Sequence, residues 1–246
     1  YYNTYHSLSK NPIEGDITNT KKFITHIFGE QTEIGFDYLQ LLYLKPTQIL
    51  PILCLVSKER ATGKSTFLKW LKEIFEYNLT YLTNDSFSSN FNADWASKLL
   101  ICIDEVLFQT EILTERIKYL STTNVNKIEA KGKDRKEIEF FGKFILCSNN
   151  ETSFIKIDAD EIRFWVRKID SYEKEDVHFL SKLIKEIPAF LYFLSKRQLS
   201  TENKSRMWFT PHQIRTKALQ KLVKFNCNKL EGELAHVLIN TMDSLD

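Results

Sequence analysis

The residues best equipped for chemistry lie in one segment, Ser57-Lys58-Glu59-Arg60-Ala61-Thr62-Gly63-Lys64-Ser65-Thr66, which directly follows a short apolar run. A strand, a tight loop, Gly-Lys-Ser and a helix beginning at that point form a cradle for phosphate. Free main-chain N–H groups at a helix start face phosphate oxygens. Gly63 lets the backbone approach without a Cβ in the way. Lys64 is placed to reach the β- and γ-phosphates, and the Ser65 hydroxyl to bind Mg²⁺. Thr62 and Thr66 complete the cradle. The pattern fails at one position, because its first glycine falls on Lys58. The bland alternative is a chance Gly-Lys-Ser ahead of a helix; strand, loop and helix arriving in order argue against it.

Two further apolar runs end in polar residues suited to the same chemistry. Leu99–Ile103 leads into Asp104-Glu105, and Phe144–Cys147 into Ser148-Asn149-Asn150. At the carboxyl end of a neighbouring parallel strand, Asp104 would hold Mg²⁺ and Glu105 would act as general base on an attacking water. The Asn149 amide could hydrogen-bond a γ-phosphate or orient that water. The competing readings are a solvated strand end for the acidic pair and a plain turn for the Asn pair. Downstream, Glu161-Ile162-Arg163-Phe164-Trp165-Val166-Arg167 offers two arginines. Arg163 is the candidate arginine finger and Arg167 the alternative, each weighed against an ordinary surface arginine.

Between the acidic and Asn strands, residues 126–141 place Lys127 and then Lys131, Gly132, Lys133, Asp134, Arg135 and Lys136 among partly alternating residues. A glycine-centred turn in that setting predicts a β-hairpin with a basic tip. Such a tip can hold the phosphates of a single strand without reading its bases. Lys127, Lys131, Lys133 and Arg135 are the candidate nucleic-acid contacts, although a charged hairpin is more often only solvated.

These residues need a scaffold that brings strand ends together. Short continuous apolar runs (Ile49–Val56, Leu99–Ile103, Phe144–Cys147, Phe164–Ile169, with Leu79–Leu82 a weaker one) alternate with helical patterns such as Ser65–Phe75. This predicts an α/β fold with a mostly parallel sheet buried on both faces and flanked by helices. Residues 1–45 read as an extended lead-in followed by short helices at Lys21–Phe28 and Phe36–Tyr43. Residues 46–172 read as the core, and 173–246 as a small helical region. In that last region Val177–Glu186 and Ala189–Arg197 are expected as a pair parted by Pro188, then Pro211–Asn226 and Glu231–Met242 as the final helices.

The 246 residues are 43% hydrophobic and 27% charged, with a net charge of +2, so a sizeable core is available and charge alone names no partner. Cys54, Cys102, Cys147 and Cys227 show no paired spacing, and three of them sit in apolar runs, which reads as reduced core thiols. No apolar stretch approaches the roughly 20 residues of a membrane span. The chain opens Tyr1-Tyr2 without a Met or a secretory leader, and is expected to be an intracellular piece of a longer protein.

The order Gly63-Lys64-Ser65, Asp104-Glu105, Lys127–Lys136 and Ser148-Asn149 resembles that of superfamily 3 helicases, a branch of the AAA+ ATPases found mainly in viruses, phages and mobile elements. More closely, "LVSKERATGKSTFLKWL" and "SRMWF" are similar to the helicase portion of phage-type primase-helicases, where Lys at the first glycine position is tolerated. The resemblance covers about Pro46 to Ile169. It implies a P-loop NTPase core of AAA+ type and an ATP-driven, Mg²⁺-dependent DNA helicase. It further implies a hexameric ring of identical subunits with ATP between them and the basic hairpins lining a channel for single-stranded DNA. Arg163 matches the arginine the family places after its Asn motif. A primase or polymerase module elsewhere in the polypeptide and the cytoplasm of a prokaryotic host belong to the same expectation. The competing functions are another AAA+ machine, such as a loader or remodeller, and a nucleotide-binding module that hydrolyses nothing.

Overall fold

A computed structural model describes residues 5–108, 110–132, 134–158, 160–172 and 176–227. Its centre is a five-stranded parallel sheet: β1 (Ile52–Val56), β2 (Leu79–Leu82), β3 (Leu100–Ile103), β6 (Lys143–Ser148) and β7 (Phe164–Lys168), in the order β2-β3-β6-β1-β7. β1, β3 and β6 are buried along their whole length. Side chains of a strand alternate between faces, so these runs supply two cores at once. Leu53, Leu55, Cys102, Ile145, Cys147 and Trp165 join one cluster, and Ile52, Cys54, Val56, Ile103, Leu146 and Val166 the other. The expected parallel α/β sheet flanked by helices is therefore present. Cys54, Cys102 and Cys147 are free and buried in it.

The first cluster is covered by α1 (Thr18–Phe28), α2 (Thr32–Leu44), α3 (Lys64–Phe75) and α6 (Phe179–Lys196). α3 has the expected periodicity, burying Phe67, Leu68, Trp70, Leu71, Ile74 and Phe75. The second face carries α4 (Asn84–Ser88) and α5 (Glu111–Leu120), with Phe87, Trp95, Phe108 and Phe154 buried beneath them. β4 (Val125–Ile128) and β5 (Lys136–Glu139) form the separate antiparallel hairpin expected from the basic segment. Among the described residues no helix is long and apolar enough to cross a membrane.

Two helical expectations need correction. α6 is one helix with Pro188 inside it, not a pair parted at that residue. A proline removes one intrahelical hydrogen bond, but here Leu183, Ile187, Phe190, Leu191 and Leu194 form a continuous buried face across it. The Pro188 carbonyl also accepts from Ile13 N–H at 3.1 Å. The helix expected from Pro211 begins instead at residue 217. Thr216 sets that start, because its Oγ1 accepts from Leu219 N–H at 3.0 Å and donates to the Val166 carbonyl at 2.5 Å. The helix expected over Glu231–Met242 lies outside the described residues.

Long-range polar contacts lock the helical layer. α1 lacks a cap from its own N-cap residue. The Glu186 carboxylate from α6 accepts instead from Thr20 N–H at 2.7 Å and Asn19 N–H at 3.2 Å. Asp37 of α2 has no exposure at all and pairs with Arg197, while Ser200 N–H (3.0 Å) and the Thr201 hydroxyl (2.7 Å) complete its shell. Removing one partner of a buried ion pair strands the other charge. Asp37→Ala is therefore expected to cost about 3–5 kcal/mol in a urea unfolding series, and a loss below about 1 kcal/mol would contradict the network.

Candidate active site

β1 delivers the chain to the carboxyl edge of the sheet, where the loop from Ser57 to Gly63 is tied down by its neighbours. Ser57 N–H donates to the Ser148 carbonyl at 3.2 Å and Glu59 N–H to Ser57 Oγ at 3.1 Å. Tyr172 N–H donates to the Ala61 carbonyl at 3.3 Å, and His26 Nε2 lies 3.0 Å from the Thr62 carbonyl. The left-handed residues of the loop are Ala61 (φ 53°) and Gly63 (φ 88°), and Lys58 is not among the positive-φ positions. A side chain at the first glycine position of the pattern is thus accommodated without strain. Gly63 is needed for a second reason: a Cβ there would meet ring carbons of Phe23 and Tyr172 at 3.2 Å each.

Lys64 opens α3 and is 7% exposed. Its Nζ donates to Thr62 Oγ1 at 3.3 Å and to the Ser57 carbonyl at 3.4 Å, and among the described residues it forms no ion pair. Burial pushes its pKa down, against the pull of Cys147, Asp104 and Glu151. A desolvated ammonium held only by neutral oxygens is short of negative charge and fits an anion. One residue on, Ser65 Oγ donates to Asp104 Oδ2 at 3.3 Å. This hydroxyl–carboxylate pair is a hard-oxygen donor set that suits Mg²⁺. Among the described residues no group of three or more His, Cys, Asp or Glu side chains is placed to hold a metal by itself, so water or phosphate oxygens would have to supply the remaining ligands.

Asp104 also accepts from Glu105 N–H at 3.1 Å through Oδ1. Glu105 is exposed and left-handed, with φ 55°. Asn84 of α4 holds this turn open. Its Nδ2 donates to the Glu105 carbonyl at 3.2 Å and its Oδ1 accepts from Leu107 N–H at 3.2 Å. Val106 N–H then donates to the Cys147 carbonyl at 2.8 Å, pinning the turn to β6. Asn149 follows the last residue of β6 and is exposed. Since β6 lies between β3 and β1, the segments bearing Asp104, Asn149 and Lys64 leave three adjacent strands at one edge.

Of the other candidates only Arg167 comes to that edge, one residue from the end of β7 and in register with Leu55. Arg163 precedes β7, and its carbonyl accepts from Ile52 N–H at the start of β1, about a strand length, roughly 16 Å, from the loop. Its guanidinium pairs with Glu161 at 2.9 Å. Arg167 faces Gln31 Oε1 (3.2 Å) and Glu30 (3.8 Å) and is 8% exposed, with its pKa lowered by burial. The basic hairpin joins the sheet at the amino end of β6, opposite the loop, with Lys127, Lys131 and Arg135 exposed and Arg135 paired to Glu129 at 2.7 Å. Gly132 turns the tip at φ 73°, and Lys133 lies outside the described residues.

Several participants carried no sequence signal. Asn84 sits in a short helix and acts only through tertiary contact. A cavity of about 450 Å³ opens beside the loop, bounded by Gly63, Thr66, Lys69, Tyr172, Phe179 and Leu180. Tyr172 is stacked on His26, their ring centroids 3.9 Å apart. The left-handed Glu105 stores strain of about 1 kcal/mol. Glu105→Gly should therefore raise the thermal midpoint by roughly 2–4 °C; a fall of that size in a melting experiment would show that the turn is not strained.

A model described as a family of unknown function (DUF5906) matches residues 55–167, from inside β1 into β7. No curated protein matches the chain. Among solved structures, the apo C-terminal region (305–718) of NrS-1 aligns with a TM-score of 0.76 and 18% identity, over 89% of this chain and 53% of that one. Its A form aligns at 0.74 with 18% identity and the same coverage, and a further A-form structure at 0.75 with 19% identity. The chain spans about half the length of the structures it matches, and at this identity the likeness is one of fold.

Proposed function

We propose that this chain is an ATP-hydrolysing motor of the P-loop, AAA+-like kind, acting on single-stranded DNA as superfamily 3 helicases do, within a phage or mobile-element replication protein. The observation that carries the reading is the meeting of the Lys64, Asp104 and Asn149 segments at the ends of three adjacent parallel strands, with Ser65 already bonded to Asp104. In such a site the α3 N–H groups and Lys64 bind the triphosphate, and Thr62 and Thr66 line its path. Mg²⁺, held by Ser65 and Asp104, would neutralise charge on the β- and γ-oxygens. Glu105 takes a proton from the attacking water as the new bond to the γ-phosphorus forms and the bridging bond to the β-phosphate breaks. Asn149 orients that water. The cavity beside Thr66 and Tyr172 takes the nucleoside end.

The exposure of the two arginines favours Arg163 over Arg167 for a trans role. Arg163 keeps 37% of its side chain exposed, at the edge away from its own loop, where a neighbouring subunit's nucleotide could meet it in a ring. Arg167 is buried. The exposed Lys127, Lys131 and Arg135, with Lys133, would hold the strand in the channel of a homo-hexamer. A primase or polymerase module elsewhere in the polypeptide belongs to the same proposal.

Two experiments test it. Glu105→Gln is expected to keep ATP binding and lower turnover by about 10²–10⁴-fold; turnover equal to the parent's would remove Glu105 as base. Lys131→Ala with Arg135→Ala should abolish DNA stimulation of the ATPase and lower the salt slope of DNA binding by about one per charge removed. Full stimulation in that double variant would leave a loader or remodeller as the better description.

A further inference from the structure

We propose that His26 is a positioning residue that sets the peptide orientation of the phosphate loop, as one half of a stacked clasp with Tyr172. The inference rests on the phosphate-loop reading above and deepens it with a residue that no motif marks. α1 turns one face toward the loop, with Phe23, His26 and Ile27 at helical spacing. A Cβ on Gly63 would come within 3.2 Å of the Phe23 ring and 3.9 Å of Ile27 Cδ1. On the same face, His26 Nε2 lies 3.0 Å from the Thr62 carbonyl oxygen. A carbonyl oxygen only accepts, so Nε2 carries the proton and donates. Tyr172, four residues past the end of β7, donates its main-chain N–H to the preceding carbonyl, that of Ala61, at 3.3 Å. The two rings stack with centroids 3.9 Å apart and planes 20° from parallel. Two consecutive loop carbonyls are thus held by one stacked pair.

Planar peptide geometry gives this hold its consequence. In a trans peptide the C=O and N–H point in opposite directions, and none of the described peptide bonds is cis. Holding the Ala61 carbonyl toward Tyr172 sends the Thr62 N–H the other way. Holding the Thr62 carbonyl toward His26 does the same for the Gly63 N–H. Among the described residues neither N–H donates to a main-chain carbonyl. Successive N–H groups directed to one side form a concavity for an anion, here continuous with the start of α3. The left-handed Ala61 and Gly63 flank Thr62 and supply the bend. Gly63 has no Cβ to resist rotation of the peptide before it, so the Thr62–Gly63 peptide is the one most free to turn. It is also the one that His26 holds. His26 and Tyr172 both lie outside the 55–167 match. Since Glu186 of α6 anchors the start of α1, the clasp ties the loop to the helical layer.

The test measures the ATP dissociation constant, KM, kcat and thermal midpoint of the full chain and three variants. His26→Phe keeps an aromatic ring against Tyr172 and removes the donor, whereas His26→Gln keeps a donor and removes the ring. His26→Ala removes both in a residue that favours the helix, so the donor loss is read even where the phenyl ring does not fit. His26→Phe and His26→Ala are expected to raise the dissociation constant and KM about 10-fold, the worth of one hydrogen bond. Because the hold acts equally on ground and transition states, kcat should stay within about two-fold. His26→Gln should recover ATP affinity to within about three-fold of the parent. A histidine that only supports the fold gives a different result: lower thermal midpoints with ATP affinity unchanged. That outcome overturns the assignment and leaves the nucleotide site standing, as does a His26→Gln chain that binds ATP as weakly as His26→Ala. If the parent itself binds no ATP, the phosphate-loop reading falls and this inference with it.

Discussion

Parallel hydrogen bonding between β3, β6 and β1 carries everything else in this molecule. The register Leu55↔Cys147 and Ile103↔Leu146 ends three strands at nearly the same level, so the residues that follow each strand emerge side by side. A change of pairing by one residue would reverse which side chains face each core and displace the loop, the acidic pair and the Asn turn relative to one another. The full burial of these strands specifies that register, since both faces reward only one alignment. Chemistry at the edge is thus positioned by packing at the centre.

The edge itself is held less by apolar contact than by backbone accounting. Ser57, Val106 and Tyr172 each spend a main-chain N–H on a carbonyl of a neighbouring segment. Asn84 supplies both donor and acceptor to the Glu105 turn. Left-handed residues at Ala61, Gly63 and Glu105 bend the chain back where it would otherwise continue outward. Strain of this kind persists where surrounding contacts over-determine it. Lys64, buried without a counter-ion among the described residues, stores electrostatic strain of the same sort, which an anion would relieve.

Electrostatics also separates the two ends of the sheet. The loop edge gathers Lys64, Asp104, Glu151 and the lysines that balance it, within a few residues of the strand ends. The opposite edge carries the root of the basic hairpin and the Arg163–Glu161 pair. β6 spans the two edges, joining the hairpin directly to Ser148 and Asn149.

The short apolar runs and their spacing pointed to a mostly parallel sheet, because a strand buried on both faces is apolar along most of its length, whereas the strand order β2-β3-β6-β1-β7 was not written in them. The Gly-Lys-Ser loop, Asp104-Glu105 and the glycine-turned basic hairpin were legible for a similar reason: each is a local pattern of residue types with one conformational consequence. Tertiary structure decided the rest. Pro188 reads locally as a break, yet the buried face of α6 runs through it. Asp16 accepts from the first N–H of α1, but the next two are held by Glu186, more than 160 residues away in sequence. Asn84, Tyr172 and Glu151 act only through partners distant along the chain, and a single polar side chain carries no periodicity that could announce such a partner. Local conformational preference is written in neighbouring residues, whereas contact between segments depends on how the packed layers finally meet.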